Sequence, residues 1–397
     1  MARCVFCENE LSAATKPEHI LLNALGGRKT TRNAICSDCN NRFGGTVDDI
    51  LAQQAAVVRN MLQLKSGTGN APPMLRNLQA GQERININSD GQPVRLGQPF
   101  DIVRRHKSEP HSSTERQLKP YHGVRHLIPH LAAMLNLSEE KVREIIAASP
   151  ATFISKRPDE IKHELRFGGE AMRSVTKSCL VLIAAALGSE LVRTPAFAEA
   201  RDFVLNGAEK FLQSRVGFDS RALPIEQAVR AKFGPFFNLI YVQSDANGRV
   251  IGHFTLLNAV AWQIVLAEAG GPPNLKLVLV SNPEDNAVWS DDASQISDVD
   301  MAWLETPQRS NAASLQRIEA IVAHHVKVEG AKAIDHIINQ VRRRYAKDDE
   351  AIPPEQHDAF EHELADRLAR HALALPYERE LSPEEVAALA QPKSTQS

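Results

Sequence analysis

Four of the five cysteines in this 397-residue chain fall in two pairs within the first 39 residues, Cys4-Val5-Phe6-Cys7 and Cys36-Ser37-Asp38-Cys39. Each C-x2-C spacing lets two sulfurs of one tight turn face a single ion, and two such turns complete a tetrahedron. The pattern therefore predicts a Cys4 zinc site. A redox pair of the thioredoxin kind needs one CxxC in a βαβ setting and leaves the second pair without a role. Four thiolates leave no open coordination position, so this zinc is structural. The fifth cysteine, Cys179, lies in the apolar run Cys179 to Leu187 and reads as inert core.

Between the pairs come Lys16-Pro17-Glu18-His19-Ile20, then Leu25-Gly26-Gly27-Arg28-Lys29, then Thr31-Arg32-Asn33-Ala34-Ile35. A strand bearing Glu-His, a glycine turn, a second strand and a helix starting at about Ser37 make a ββα unit. So small a unit buries little, and the metal must supply much of its folding free energy. On that scaffold a carboxylate at Glu18, an imidazole at His19 and a carboxamide at Asn40 can converge. Cleaving a phosphodiester needs a base near neutrality to take a proton from water, which suits His19. It also needs a hard divalent cation, Mg²⁺ or Mn²⁺, which takes few protein ligands and prefers oxygen; Glu18 and Asn40 supply two. Asn41, one step along the helix, is the alternative to Asn40. Neighbours on a strand point to opposite faces, so Glu18 and His19 reach one site only where the strand bends or ends.

C-x2-C, Glu-His-Ile, Leu-Gly-Gly, Asn, then C-x2-C-Asn-Asn over residues 1–50 resembles the HNH endonucleases of ββα-metal fold, in the branch with a Cys4 zinc. It is also similar to the core of the phage junction-resolving endonuclease VII. The resemblance implies His19 as general base, Glu18 and Asn40 as ligands of the catalytic metal, and Cys4, Cys7, Cys36 and Cys39 as ligands of structural zinc. It implies that Asn33 braces the loop holding the base, and that the products carry a 5′-phosphate and a 3′-hydroxyl. Two positions depart from the commonest pattern: Glu18 stands where many members have Asp, and Asn40 replaces the final His, keeping an oxygen donor. Arg28, Lys29, Arg32 and Arg42 surround the expected site as phosphate contacts. The expected activity is metal-dependent hydrolysis of nucleic acid, with DNA as substrate. The alternative is a zinc-dependent nucleic-acid-binding protein whose HNH unit no longer cuts.

Bulk charge fits a local site only. With 46 Lys and Arg against 48 Asp and Glu, the chain has no general basic coat for nucleic acid. Residues 102–125 carry six basic and two acidic side chains and read as a basic loop beside a nucleic-acid backbone. Beyond the motif, Thr46 to Leu64 reads as one helix capped by Thr46, with Asp48 and Asp49 in its first turn. Hairpins are expected around Asp90-Gly91 and around Asp245 to Gly248, a buried helix over Gly169 to Leu187, and helices over Ala313 to Tyr345, Pro354 to Leu373 and Pro383 to Leu389. The whole reads as an α+β chain in three segments. These are an HNH domain over 1–65, an α+β domain of unassigned role over 66–305, and a helical region over 306–397 with a disordered end. The C-terminal helices either pack on the preceding segment or mediate a homodimer. With neither a signal-peptide core nor a run long enough to span a bilayer, the sequence reads as cytoplasmic, with no membrane partner.

Overall fold

The N-terminal elements follow the ββα order that the spacing predicts. Strand β1 (Glu18–His19) pairs antiparallel with β2 (Thr30–Thr31), Glu18 opposite Thr31 and His19 opposite Thr30. A 3-10 turn over Asn23–Leu25 connects them, closed by Gly26 at φ +87°. Helix α1 (Ser37–Gly44) starts at Cys36, whose Sγ accepts from the Cys39 amide. The single helix expected over 46–64 is instead two, α2 (Val47–Gln54) and α3 (Ala56–Met61), separated at Ala55. Thr46 does not cap: its Oγ1 donates back to the Arg42 carbonyl (2.7 Å), in competition with a capping bond.

The computed structural model describes residues 2–91, 93–96, 100–103, 115–118, 124–148, 152–155, 161, 166–284, 289–290, 299–347 and 350–390. These divide into two compact units, each drawn from two stretches of chain: 1–73 with 164–325, and 74–163 with 326–397. The contiguous segments expected from sequence follow other boundaries.

In the first unit, β1 to α3 share one hydrophobic core with helix α4 (Met172–Leu187) and a six-stranded antiparallel sheet. The strands are β3 (Val216–Asp219), β4 (Asn238–Ser244), β5 (Val250–Leu256), β6 (Val260–Ala267), β7 (Lys276–Ser281) and β8 (Trp289–Ser290), in the order β8-β7-β4-β5-β6-β3. Alternation divides β4 between two cores: Ile240 and Val242 join the core of α4 and the zinc segment, Leu239 and Tyr241 the opposite one. A sheet covered on both faces explains why β5 is buried along its whole length. Helix α4 crosses the inner face with Val175, Cys179, Leu180 and Ile183 fully buried. Burial pushes the Cys179 thiol up to about 12, as its inert role requires.

The second unit holds a three-stranded meander over Leu75–Ala80, Glu83–Ile87 and Pro93–Arg95, turning at Asp90-Gly91 as expected. Helix Glu139–Ala147 is capped by Ser138. Strand Tyr377–Glu380 pairs with Thr152–Ser155, a long-range pairing that no local pattern announces. The 35-residue helix Asn311–Tyr345 starts in the first unit and ends in the second. Of the expected basic loop, strands Phe100–Val103 and Glu115–Leu118 form a two-stranded ladder; most of the intervening residues, and the terminal QPKSTQS, lie outside the described residues. Among the described residues no helix is long and apolar enough to cross a membrane.

Candidate active site and zinc centre

The sulfurs of Cys4, Cys7, Cys36 and Cys39 all lie within 4.8 Å of one another. Zinc–sulfur bonds of about 2.3 Å in a tetrahedron set the sulfurs about 3.8 Å apart, so the donor set fits Zn²⁺ without rearrangement of the chain. N–H groups already point at the sulfurs, from Phe6 to Cys4 (3.4 Å), and from Cys39 (3.5 Å) and Asn9 Nδ2 (3.6 Å) to Cys36. A hydrogen bond from Cys39 pulls Cys4 down to about 5, burial pushes Cys7 up to about 11, and Cys39 is raised by its bond to Cys4. Arg193 fastens the knuckle to the rest of the unit, donating to the carbonyls of Cys4 and Cys7 at 2.6 Å each.

Near the zinc segment in sequence, β1 carries Glu18 and His19. It is two residues long, and its burial alternates: Glu18 is 4% exposed, His19 half-buried. Asn40, in the first turn of α1, donates from Nδ2 to the Pro17 carbonyl (3.1 Å), immediately before Glu18. Its Oδ1 has no hydrogen-bond partner among the described residues. Asn41 differs: its Oδ1 accepts from Lys16 Nζ (2.8 Å), which commits that oxygen elsewhere. Burial, reinforced by the Lys177 ammonium, holds the His19 imidazole below its ordinary value of 6.5, so it is neutral and able to accept a proton across the physiological range.

Glu18 meets an unexpected partner. Lys177, midway along α4, donates to Glu18 Oε1 (2.6 Å) and to Asp48 Oδ2 (2.5 Å), while Ser174 Oγ donates to Asp48 Oδ1 (2.6 Å). All four side chains are buried. Burial alone would lower the Lys177 ammonium, but Asp48 and Glu18 hold it above its ordinary value. Burial raises the Glu18 carboxyl, and Lys177 offsets part of that rise. Sequence reasoning placed Asp48 as a first-turn charge and passed over Lys177 and Ser174. The available signal was a lone lysine three residues after a serine in a helix whose second half is apolar.

The expected basic rim is only partly free to meet phosphate. Arg32 is exposed but donates to the Thr15 carbonyl (3.0 Å), and Arg28 Nε donates to the Gly67 carbonyl (3.3 Å). Lys29 is half-buried, and burial lowers its ammonium. Arg42 is exposed, its guanidinium 5.1 Å from the Phe43 ring centroid. The Asn33 side chain is exposed and makes no hydrogen bond among the described residues; its amide N–H donates to Thr31 Oγ1 (3.1 Å).

Glu18 and Asn40 are hard oxygen donors, Glu18 Oε2 and Asn40 Oδ1 having no hydrogen-bond partner among the described residues. Oxygens of this kind are the donor type that Mg²⁺ and Mn²⁺ prefer. A protein-family model described as HNH endonuclease matches residues 4–56, from the first zinc cysteine into α3. No curated protein and no solved structure matches the chain.

Proposed function

We propose that this chain, whose residues 4–56 match the HNH endonuclease model, hydrolyses phosphodiester bonds in DNA with a divalent metal at Glu18 and Asn40. The observation that supports the reading is the hydrogen bond from Asn40 Nδ2 to the Pro17 carbonyl: it ties the first turn of α1 to the residue before Glu18 and leaves the carboxamide oxygen uncommitted. His19, neutral and half-exposed, takes a proton from the attacking water. A bound Mg²⁺ or Mn²⁺ would supply positive charge for the scissile phosphate and the leaving oxygen. Arg42 and Arg32 are the exposed cations available to the flanking phosphates, and their contribution is sequence-independent. The zinc centre holds α1, and with it Asn40, in register with β1.

The test is plasmid nicking by the full chain with Mg²⁺ or Mn²⁺. His19→Ala should lower the rate by about 10²–10⁴-fold, as loss of a general base does, with zinc content unchanged. Cutting by that variant at the wild-type rate would defeat the mechanism. One observation favours the second reading, a DNA-binding unit that does not cut: Glu18 is nearly sealed and already paired with Lys177. DNA binding with no cleavage by wild-type protein in either metal would establish that alternative.

A further inference from the structure

Lys177 lies far outside the residues that the family model matches, yet it meets β1, α1 and α2 of the HNH unit. It donates to Glu18 on β1 and to Asp48 on α2, and its Nζ is 5.9 Å from the ring centroid of Phe43 on α1. Phe43 is one turn beyond Asn40 on the same helix, so one side chain touches the supports of both proposed metal ligands. Asp48 is in turn fixed from two sides by α4, through Lys177 and through Ser174. Positions three apart on a helix share a face, which lets both reach one carboxylate.

Two carboxylates and one ammonium leave the cluster at −1, a balance suited to a divalent cation that will also meet a phosphate. Without the ammonium, Glu18 and Asp48 would face each other as uncompensated charges in a buried site. The geometry adds direction. Lys177 restrains the Glu18 carboxylate by Oε1, and Oε2 is the oxygen left without a hydrogen-bond partner among the described residues.

We infer that Lys177, with Asp48 and Ser174 behind it, is a positioning residue of the HNH site that holds Glu18 by Oε1 so that Oε2 alone serves the divalent metal. This rests on the proposal that Glu18 is a metal ligand. It also makes the site a joint product of the family unit and of α4.

The test is Mn²⁺ binding to full-length protein carrying one zinc per chain, followed by electron paramagnetic resonance and calorimetry in the absence of DNA. Glu18→Ala comes first: if it binds Mn²⁺ as wild type does, the assignment of Glu18 as ligand fails. If Glu18→Ala weakens binding, Lys177→Met and Lys177→Arg decide the inference, the second keeping the charge but not the geometry. Both are expected to bind Mn²⁺ at least tenfold more weakly. A merely structural lysine would lower the melting temperature and leave Mn²⁺ affinity unchanged in zinc-loaded, folded variants, and that result overturns the inference. Should both Lys177 variants lose zinc, Ser174→Ala decides in their place. It loosens Asp48 without removing a charge, so a threefold or greater weakening supports the inference and wild-type affinity overturns it.

Discussion

His19 shows how its surroundings tune one side chain. Burial and then the Lys177 charge both disfavour the imidazolium, so the base stays neutral to lower pH than a free imidazole. The acid limb of kcat/KM, which reports the free enzyme, should therefore have its half-maximum below pH 6.5. A pH series of nicking rates at saturating Mn²⁺ checks this, and a limb centred above 6.5 would mean that another group titrates. The cluster of Cys4, Cys7, Cys36 and Cys39 was legible because its spacing is local and its chemistry narrow. The Lys177–Asp48–Glu18 cluster was not. Glu18 and Lys177 are 159 positions apart, and nothing in either neighbourhood encodes the other.

Paired glycines recur in the N-terminal elements, and the structure separates them by what surrounds each. A Cβ on Gly27 would lie 1.9 Å from the Leu21 carbonyl oxygen, and one on Gly67 would lie 1.7 Å from the Gly27 carbonyl oxygen. These are backbone atoms that cannot step aside. Gly44 ends α1 with nothing within 4 Å of its Cβ position. Gly27→Ala should destabilise the protein by about 1–3 kcal/mol or more, whereas Gly44→Ala should be neutral or stabilise by up to about 1 kcal/mol. Chemical denaturation of the two variants against wild type measures both. As sequence, Gly26-Gly27 read only as a turn. That one of the pair seats a second segment of chain follows from packing that local pattern does not carry. The hairpins at Asp90-Gly91 and Asp245 to Gly248 were readable for the converse reason, since turn residues and alternation lie within one stretch.

At the scale of the whole molecule, the zinc segment is part of a larger core rather than an appended module. Cys4, Val5, Ile35 and Phe43 lie in the same buried cluster as Cys179, Phe254 and Trp262. Removing zinc should therefore be felt across the first unit. Chelation is expected to lower its melting temperature by more than about 10 °C, since structural zinc contributes of the order of 10 kcal/mol in small domains. Calorimetry with metal analysis before and after chelation tests this; an unchanged transition after complete loss of zinc would refute it. The shared core runs past residue 65, joining the zinc segment to residues 171–279.

The wide separation of Glu18 and Lys177 also sets a clock during synthesis. Translation at about 5–20 residues per second delivers Lys177 on the order of ten to thirty seconds after Glu18. The first half of the second unit is made in that interval. A nascent chain can thus close its zinc knuckle early and still lack the residue that aligns its metal-binding carboxylate. On this account, cleavage competence arrives late on the ribosome, after the polypeptide is well past the family motif.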